Sequence, residues 1–503
     1  MIEDLDFLDS FDSELVIGLV APIGTEKNVV IEELKDRLTS FGYETIPIKL
    51  SSFLEDDLVK KKHKVDLIRE PENARIRSYM DAGNKLREHT QRGDALALWA
   101  SAEIARKRPE NETVGDKRAY LLDSLKHPGE AKTLRRIYGN GFFLIGIYSP
   151  RDKRFDYLSG NKGITAEDAN KLINDDYHEE EPKGSGQNTR ETFFLADAFV
   201  SLTNTNDAKN QLGRVIDLLF GSPFLTPTLD EYSMFQAFSS RLRSADLSRQ
   251  VGAVIISDSG ELIGVGANDV PCYGGGLYWP GDSDHRDWDW GYDSNAKRRD
   301  QILSDIVELV KKKTGQGEEV DDKKLLEEVK EGLSHSILLD ITEFGRPVHA
   351  EMEALLSCSR KGISTTAGIL YCTTFPCHNC AKHIVAAGIN KVVYVEPYPK
   401  SKAQELHHDS IEVDEESAGA KVSFIPFVGI GYRRFIDLFS MGQSSGYDVQ
   451  RKIKGSINKV DWKRENARLR IPMLRTSYLK RETAAAEIIK ELYTGEKNDG
   501  STI

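Results

Sequence analysis

The chain has 503 residues, 39% hydrophobic and 29% charged, with a formal net charge of −12, a composition that predicts a globular protein of roughly two or three domains. Five cysteines are too few for a disulfide scaffold, and the acidic balance argues against a surface that binds duplex DNA over the whole molecule. No apolar run approaches the ~20 residues of a membrane span, and the acidic start "MIEDLDFLDSFDSE" lacks a secretory pattern, so a cytoplasmic protein with reduced thiols is expected.

In chain order, "ELVIGLV" reads as a buried strand, "NVVIEELKDRLTSFGY" as an amphipathic helix ending near Gly42, and "ETIPIKL" as a second strand. "RAYLLDSL" and "GFFLIGIYS" are further buried strands. This β-α-β rhythm predicts an α/β domain with a mainly parallel sheet covered by helices. "NDDYHEEEPKGSGQ" is charged and glycine-bearing, and is expected to be a mobile loop. Two prolines in "FGSPFLTPTLDEY", from Phe220, mark a domain boundary. The expected division is 1–222, 223–445 and a basic extension, 446–503.

The second domain opens with a hairpin, "GAVIISD" and "ELIGVGA" about a Ser-Gly turn. An insertion follows from about 272 to 347. It has an irregular aromatic part, "YGGGLYWPGDSDHRDWDWGYDS", and two helical stretches, "RRDQILSDIVELVKKK" and "DKKLLEEVKEGL". Helix "HAEMEALLSCSRKG", strand "GILYCTT", helix "CHNCAKHIVAAG" and strand "KVVYVEPY" complete the pattern. The final segment from Arg451 is strongly basic, and reads either as a nucleotide-phosphate or RNA contact or as a surface meeting the acidic remainder.

"TTFPCHNC" places Cys377 and Cys380 at C-x-x-C spacing directly after Pro376. A redox pair needs nothing else, and a structural zinc needs two more ligands. Cys272, Cys358 and Cys372 form no second pair, and Cys272 with His285 is too small a set for another zinc site. Twenty-eight residues before Cys377, however, stand His349 and Glu351 in "HAE". One imidazole and two thiolates leave a tetrahedral zinc one open position, the mark of a catalytic site. Cys377 at a helix start gains from the exposed N–H groups and the helix dipole. Glu351, two residues past the ligand, is placed to reach a zinc-activated water as proton shuttle. H-x-E…P-C-x-x-C is the signature of zinc deaminases acting on nucleobases. His378 and Asn379 are read as carrying no metal, His383 as packing or capping within its helix, and His407 and His408 as surface or phosphate-site residues.

With "RQVGAVIISD", "GVGANDVP", "HAEMEAL" and "TTFPCHNCAKHIVAAGINKVVYVEPYPKS" in order, residues 230–440 resemble the deoxycytidylate deaminases. With "GLVAPIGTEK" ahead and "EPYPKSKAQELHHDSI" behind, the whole chain resembles the bacterial antiphage dCMP/dCTP deaminases, a kinase-like domain fused to a deaminase. The resemblance implies a cytidine-deaminase-like α/β/α fold, Zn2+, and free deoxycytidine nucleotides as substrates. It also implies homo-oligomers, commonly hexamers, and a role in depleting the nucleotide pool a phage needs. It places Asn268 at the sugar. Arg346, Lys400 and Ser401 are candidates for phosphate contacts and Tyr398 for stacking on the base. Glu353 departs from the asparagine common in that family.

"GLVAPIGTEKN" lies between a strand and a helix, as a P-loop does, but only Gly24, Thr25 and Lys27 survive of its chemistry. Asp123 takes a Walker-B-like position, and Arg151 and Arg154 resemble a lid. The expectation is a degenerate P-loop kinase-like domain that senses a regulatory nucleotide or another signal, or else a scaffold. Such fusions are held inactive until infection, in some systems by a small RNA, for which the basic tail is a candidate dock. The alternatives to a free-nucleotide enzyme are a polynucleotide deaminase and a regulatory protein with an inert deaminase half.

Overall fold

The computed structural model describes residues 13–494, apart from 110–116, 179–185, 282–283, 315–321, 334–335, 337, 339–340, 342, 399–400, 415–418 and 474. Half of the charged tract expected as a mobile loop, and Lys400, lie outside the described residues, while the tract's first five residues, 174–178, instead end the helix Ala166–His178. The chain forms two compact units, residues 1–231 with 427–503, and residues 232–426.

The first unit begins with β1 (Leu15–Val20), a loop, and helix α1 (Asn28–Thr39). β2 (Glu44–Lys49), helix α2 (Ala95–Lys107), β3 (Arg118–Asp123), β4 (Phe142–Tyr148), β5 (Ala198–Ser201) and helix α3 (Thr205–Leu219) follow. β1 is buried along its whole length, as are all but the last residue of β3 and of β4. Strands apolar on both faces belong in a sheet covered on both sides, and β2, β3, β1, β4 and β5 pair in that order, every pair parallel.

The second unit carries the hairpin β6 (Gly252–Ile256) and β7 (Leu262–Ala267), then the insertion with α4 (Ser294–Thr314) and α5 (Asp322–Gly332). Helix α6 (Ala350–Lys361), β8 (Ile369–Thr374), helix α7 (His378–Ala386), β9 (Lys391–Glu396), β10 (Ile411–Val413) and β11 (Val422–Pro426) complete it. Sheet order is β10-β11-β9-β8-β6-β7, parallel as far as β8 and antiparallel through the hairpin. Two glycines set how closely α6 lies on β7. A Cβ at Gly264 would meet Cys358 Sγ, and one at Gly266 would strike the carbonyl of Ala350, in the first turn of α6. Their absent side chains let that helix start rest against the sheet.

The chain then returns to the first unit, where the sequence pattern placed a continuing deaminase domain and a separate extension. β12 (Gly429–Ile430) pairs antiparallel with β5 at the sheet edge. Helix α8 (Tyr432–Phe439) contributes Arg434, which is buried and donates to the carbonyls of Asn140 and Phe142. Helix α9 (Arg475–Thr494) packs on α2, and its Glu482 shares the buried Arg108 guanidinium with Glu14. The basic segment is therefore partly structural: Arg464 pairs with Asp217 at 3.0 Å, and Arg470 is 1% exposed. Among the described residues, no helix is long and apolar enough to cross a membrane.

Candidate active site

His349 is the N-cap residue of α6 and Cys377 that of α7. β8 runs between the two helices, and β6 and β9 flank it, so both helix starts come to one end of the sheet. His349 Nδ1 lies 3.4 Å from Cys377 Sγ and 3.3 Å from Cys380 Sγ. The Cys380 N–H donates to Cys377 Sγ at 3.4 Å. All three donor atoms fall within 4.8 Å of one another, and they form the cluster of possible metal ligands found among the described residues.

The electrostatics follow from this crowding. The hydrogen bond with Cys380, then that with the His349 imidazole, draw the Cys377 thiol down to about 3 against the opposing effect of burial. The Cys377 hydrogen bond raises His349 to about 9. Cys380 is pushed up by its hydrogen bond with Cys377 and by burial. Three donors competing for protons at this distance are matched to a divalent cation. Zinc with bonds of about 2.3 Å to sulfur and 2.05 Å to nitrogen needs N···S edges of roughly 3.6 Å, close to the spacing present. The residues fit zinc.

A cavity of about 230 Å³ opens beside the cluster, with His349, Cys377 and Glu351 in its lining. Glu351 is 4% exposed, and burial raises its carboxyl pKa. A carboxyl tuned upward beside a cation site is suited to accept and return protons near neutral pH.

Asn268 and Tyr398 also line the cavity. Asn268 Oδ1 accepts from the Val251 N–H at 2.6 Å, and its Nδ2 donates to the Arg249 carbonyl at 2.8 Å. Arg346 is not among the lining residues but is held at their edge: it donates to the lining Asp287 Oδ1 at 2.7 Å and stacks on Trp290 at 3.4 Å, and its neighbours Gly345 and Pro347 reach the lining. Ser401 Oγ donates to the Pro376 carbonyl at 2.8 Å, bracing the turn before Cys377. Glu353 is buried against Arg360 at 2.5 Å. His285 packs edge-on to Tyr278, and Cys272 Sγ donates to the Gly275 carbonyl. Lining residues to which the sequence pattern assigned no role include Arg249 and His378, although both lie within quoted motifs, and the insertion's Asp287, Asp293 and Asn295. A cluster of aromatic and acidic residues in the insertion was the visible signal for the last three.

In the first unit, Lys27 and Asp123 do meet, at 2.5 Å, with Ser124 Oγ also against the ammonium. Burial lowers the Lys27 pKa. The loop between β1 and α1 is held from within. The Ile23 N–H donates to Asp176 at 2.8 Å, Lys126 Nζ donates to the Ala21 carbonyl at 2.8 Å, and the Thr25 N–H donates to Pro22 O. Gly24 has φ +80°, with the Arg154 carbonyl where a Cβ would point. The Thr25 hydroxyl is buried and has no hydrogen-bond partner among the described residues. Arg151 donates to Asn170 and Asn174, and Arg154 to the Ser149 carbonyl.

Residues 227–396 match the family model described as the cytidine and deoxycytidylate deaminase zinc-binding region. This part of the chain is similar to that zinc-binding region. The chain is 42% identical over 77 residues to ComE operon protein 2 of Bacillus subtilis, covering 14% of this chain and 41% of that protein. It is 26% identical over 215 residues to the deoxycytidylate deaminase of Mus musculus, covering 42% of this chain and 81% of the mouse protein. Among solved structures, the dCMP deaminase of cyanophage S-TIM5 in complex with dCMP and dUMP aligns with 18% identity and a TM-score of 0.22. The alignment covers 40% of this chain and all of that one. The chain thus spans less than half the length of the Bacillus relative and most of the mouse one.

Proposed function

We propose that the protein is a zinc-dependent hydrolase that converts free deoxycytidine nucleotides, dCMP or dCTP, to the deoxyuridine nucleotides. The observation that carries this reading is the cluster of His349, Cys377 and Cys380 beside a cavity that His349, Cys377 and the buried Glu351 line. Relatives named deoxycytidylate deaminase support the substrate class. Zinc bound by the three donors would lower the pKa of a water from 15.7 toward about 7. Glu351 then takes a proton from the attacking water and delivers protons to the ring nitrogen and the departing amine, so that C4 loses ammonia and gains oxygen. Asn268 holds the 249–251 backbone beside the reacting base, and Tyr398 offers its ring to base or sugar.

The first unit is proposed as a regulatory domain that restrains this activity until a nucleotide or another signal arrives. Lys27, at the N-cap of α1, meets Asp123 at the end of β3, and this pair supports it. Homo-oligomers, a cytoplasmic location and a defence role through depletion of dC nucleotides belong to the same proposal, as does an RNA contact on the basic C-terminal segment. The test is incubation of zinc-loaded protein with dCMP, dCTP, cytidine and single-stranded DNA, scoring uracil product. Product from DNA but not from free nucleotides would defeat the substrate assignment.

A further inference from the structure

We propose that the acidic segment at the start of the chain, residues 2–12, docks on a basic hairpin of the first unit in the same chain. The inference is independent of the deaminase reading. Residues 451–460, "RKIKGSINKV", fold back on themselves. Lys452 bridges Lys459, the Ile453 N–H donates to the Asn458 carbonyl at 3.0 Å, and the Val460 N–H donates to the Arg451 carbonyl at 3.1 Å. Gly455, at φ +77°, makes the tip. The base is tied down: Arg451 Nε donates to the Pro223 carbonyl at 2.7 Å, and Lys459 lies over the Phe224 ring at 5.3 Å. The rest is presented outward, and none of the ten residues is buried. Lys452 and Lys454 have no ion pair among the described residues. Ile453 is 47% exposed, Ile457 93% and Phe224 45%. Cations without a carboxylate among them, interleaved with outward isoleucines, call for a partner that is acidic and apolar at once. A phosphate polymer would answer the lysines and leave the isoleucines in water.

The chain carries such a partner. "MIEDLDFLDSFD", residues 1–12, lies outside the described residues. It holds five acidic residues and no Lys or Arg, with Ile2, Leu5, Phe7, Leu8 and Phe11 between them. It joins the described chain close to the end of the hairpin. The Ser13 carbonyl accepts from the Tyr43 hydroxyl and its Oγ from the Met473 N–H, both at 2.8 Å. The Tyr43 ring meets Phe220 edge-on at 5.2 Å, and the Phe220 carbonyl accepts from Nε1 of Trp462, two residues past the hairpin. Twelve extended residues reach about 40 Å. A tether of this length gives an effective concentration on the order of 1 mM, which fills a site of about 0.1 mM affinity some ten-fold over its empty state. While docked, the segment neutralises the surface that the basic tail would offer to a phosphate polymer.

The experiment follows amide hydrogen exchange of residues 2–12 by mass spectrometry in the zinc-loaded full chain. At low salt these amides are expected to exchange about ten-fold more slowly than in the free peptide of the same sequence, the protection falling as salt rises. Lys452→Glu with Lys454→Glu should abolish the protection at an unchanged thermal midpoint. Adding Asp4→Lys with Asp6→Lys to that variant should restore it. A benzophenone amino acid in place of Phe7 should cross-link to peptides spanning 451–460 or Phe224, and in mixtures of 15N-labelled and unlabelled protein both cross-linked peptides should carry one label. Exchange as fast as in the free peptide would overturn the proposal. So would protection that survives the charge reversal, or a charge swap that fails to restore it. Cross-links of mixed label would also overturn it, by giving the hairpin to a second copy.

Discussion

Each unit presents polar side chains where the ends of parallel strands meet a helix start, yet the two places are finished differently. At the end of β8, His349, Cys377 and Cys380 crowd together beside a cavity that His349, Cys377 and a buried carboxyl line. At the end of β1, Lys27 is consumed by Asp123 and Ser124, and the loop backbone is tied by Asp176, Lys126 and its own carbonyls. Donors that satisfy one another build structure, whereas donors that converge and stay unsatisfied need a further species to complete them. The contrast singles out the second unit as the place of the candidate chemistry.

The largest break in this contrast is removal of a ligand. Cys377→Ala is expected to lower bound zinc from one per chain to near zero by mass spectrometry and to reduce deamination at least about 10³-fold. Glu351→Gln should keep the zinc and lose about 10²–10⁴-fold in kcat. Retained turnover would remove Glu351 from the proton path. The third test is zinc uptake by the stripped protein against pH. His349, raised to about 9, and Cys380, raised, hold their protons at neutral pH, while Cys377, drawn to about 3, does not. Binding should therefore release about two protons, and affinity should climb as pH rises toward 9. Calorimetry in buffers of different ionisation enthalpy reads the number, and a release near zero would contradict the proton inventory. The smallest effect sharpens the other side. Gly24→Ala, strained at φ +80° and pressed on the Arg154 carbonyl, should destabilise the first unit by about 1–3 kcal/mol and leave kcat on dCMP unchanged. Chemical denaturation measures the first, and a lost kcat would show that this loop takes part in turnover.

The candidate metal cluster was legible because Cys377 and Cys380 stand in one C-x-x-C at a helix start and His349 stands two residues before Glu351 at another, and the hairpin, β8 and β9 were legible from apolar runs bounded by turns. Arg249 was not, because nothing in "LSRQVGA" distinguishes an arginine aimed at a cavity from one in solvent. Asp287 and Asn295 come from an irregular insertion whose path no periodicity encodes. The return of residues 427–503 to the first unit depends on a two-residue strand and on the buried Arg434 and Arg470, long-range pairings that leave no local pattern. Arg346 looked like a phosphate ligand by its place before the motif, but Asp287 and Trp290, distant in sequence, hold it.

The central claim is tested most directly by incubating the zinc-loaded full chain with dCMP and with dCTP and following ammonia and deoxyuridine nucleotide together. The account predicts equimolar release of both from at least one of the two nucleotides, abolished in Glu351→Gln. Full zinc occupancy with no product from either, with or without added nucleotide effectors, would contradict it.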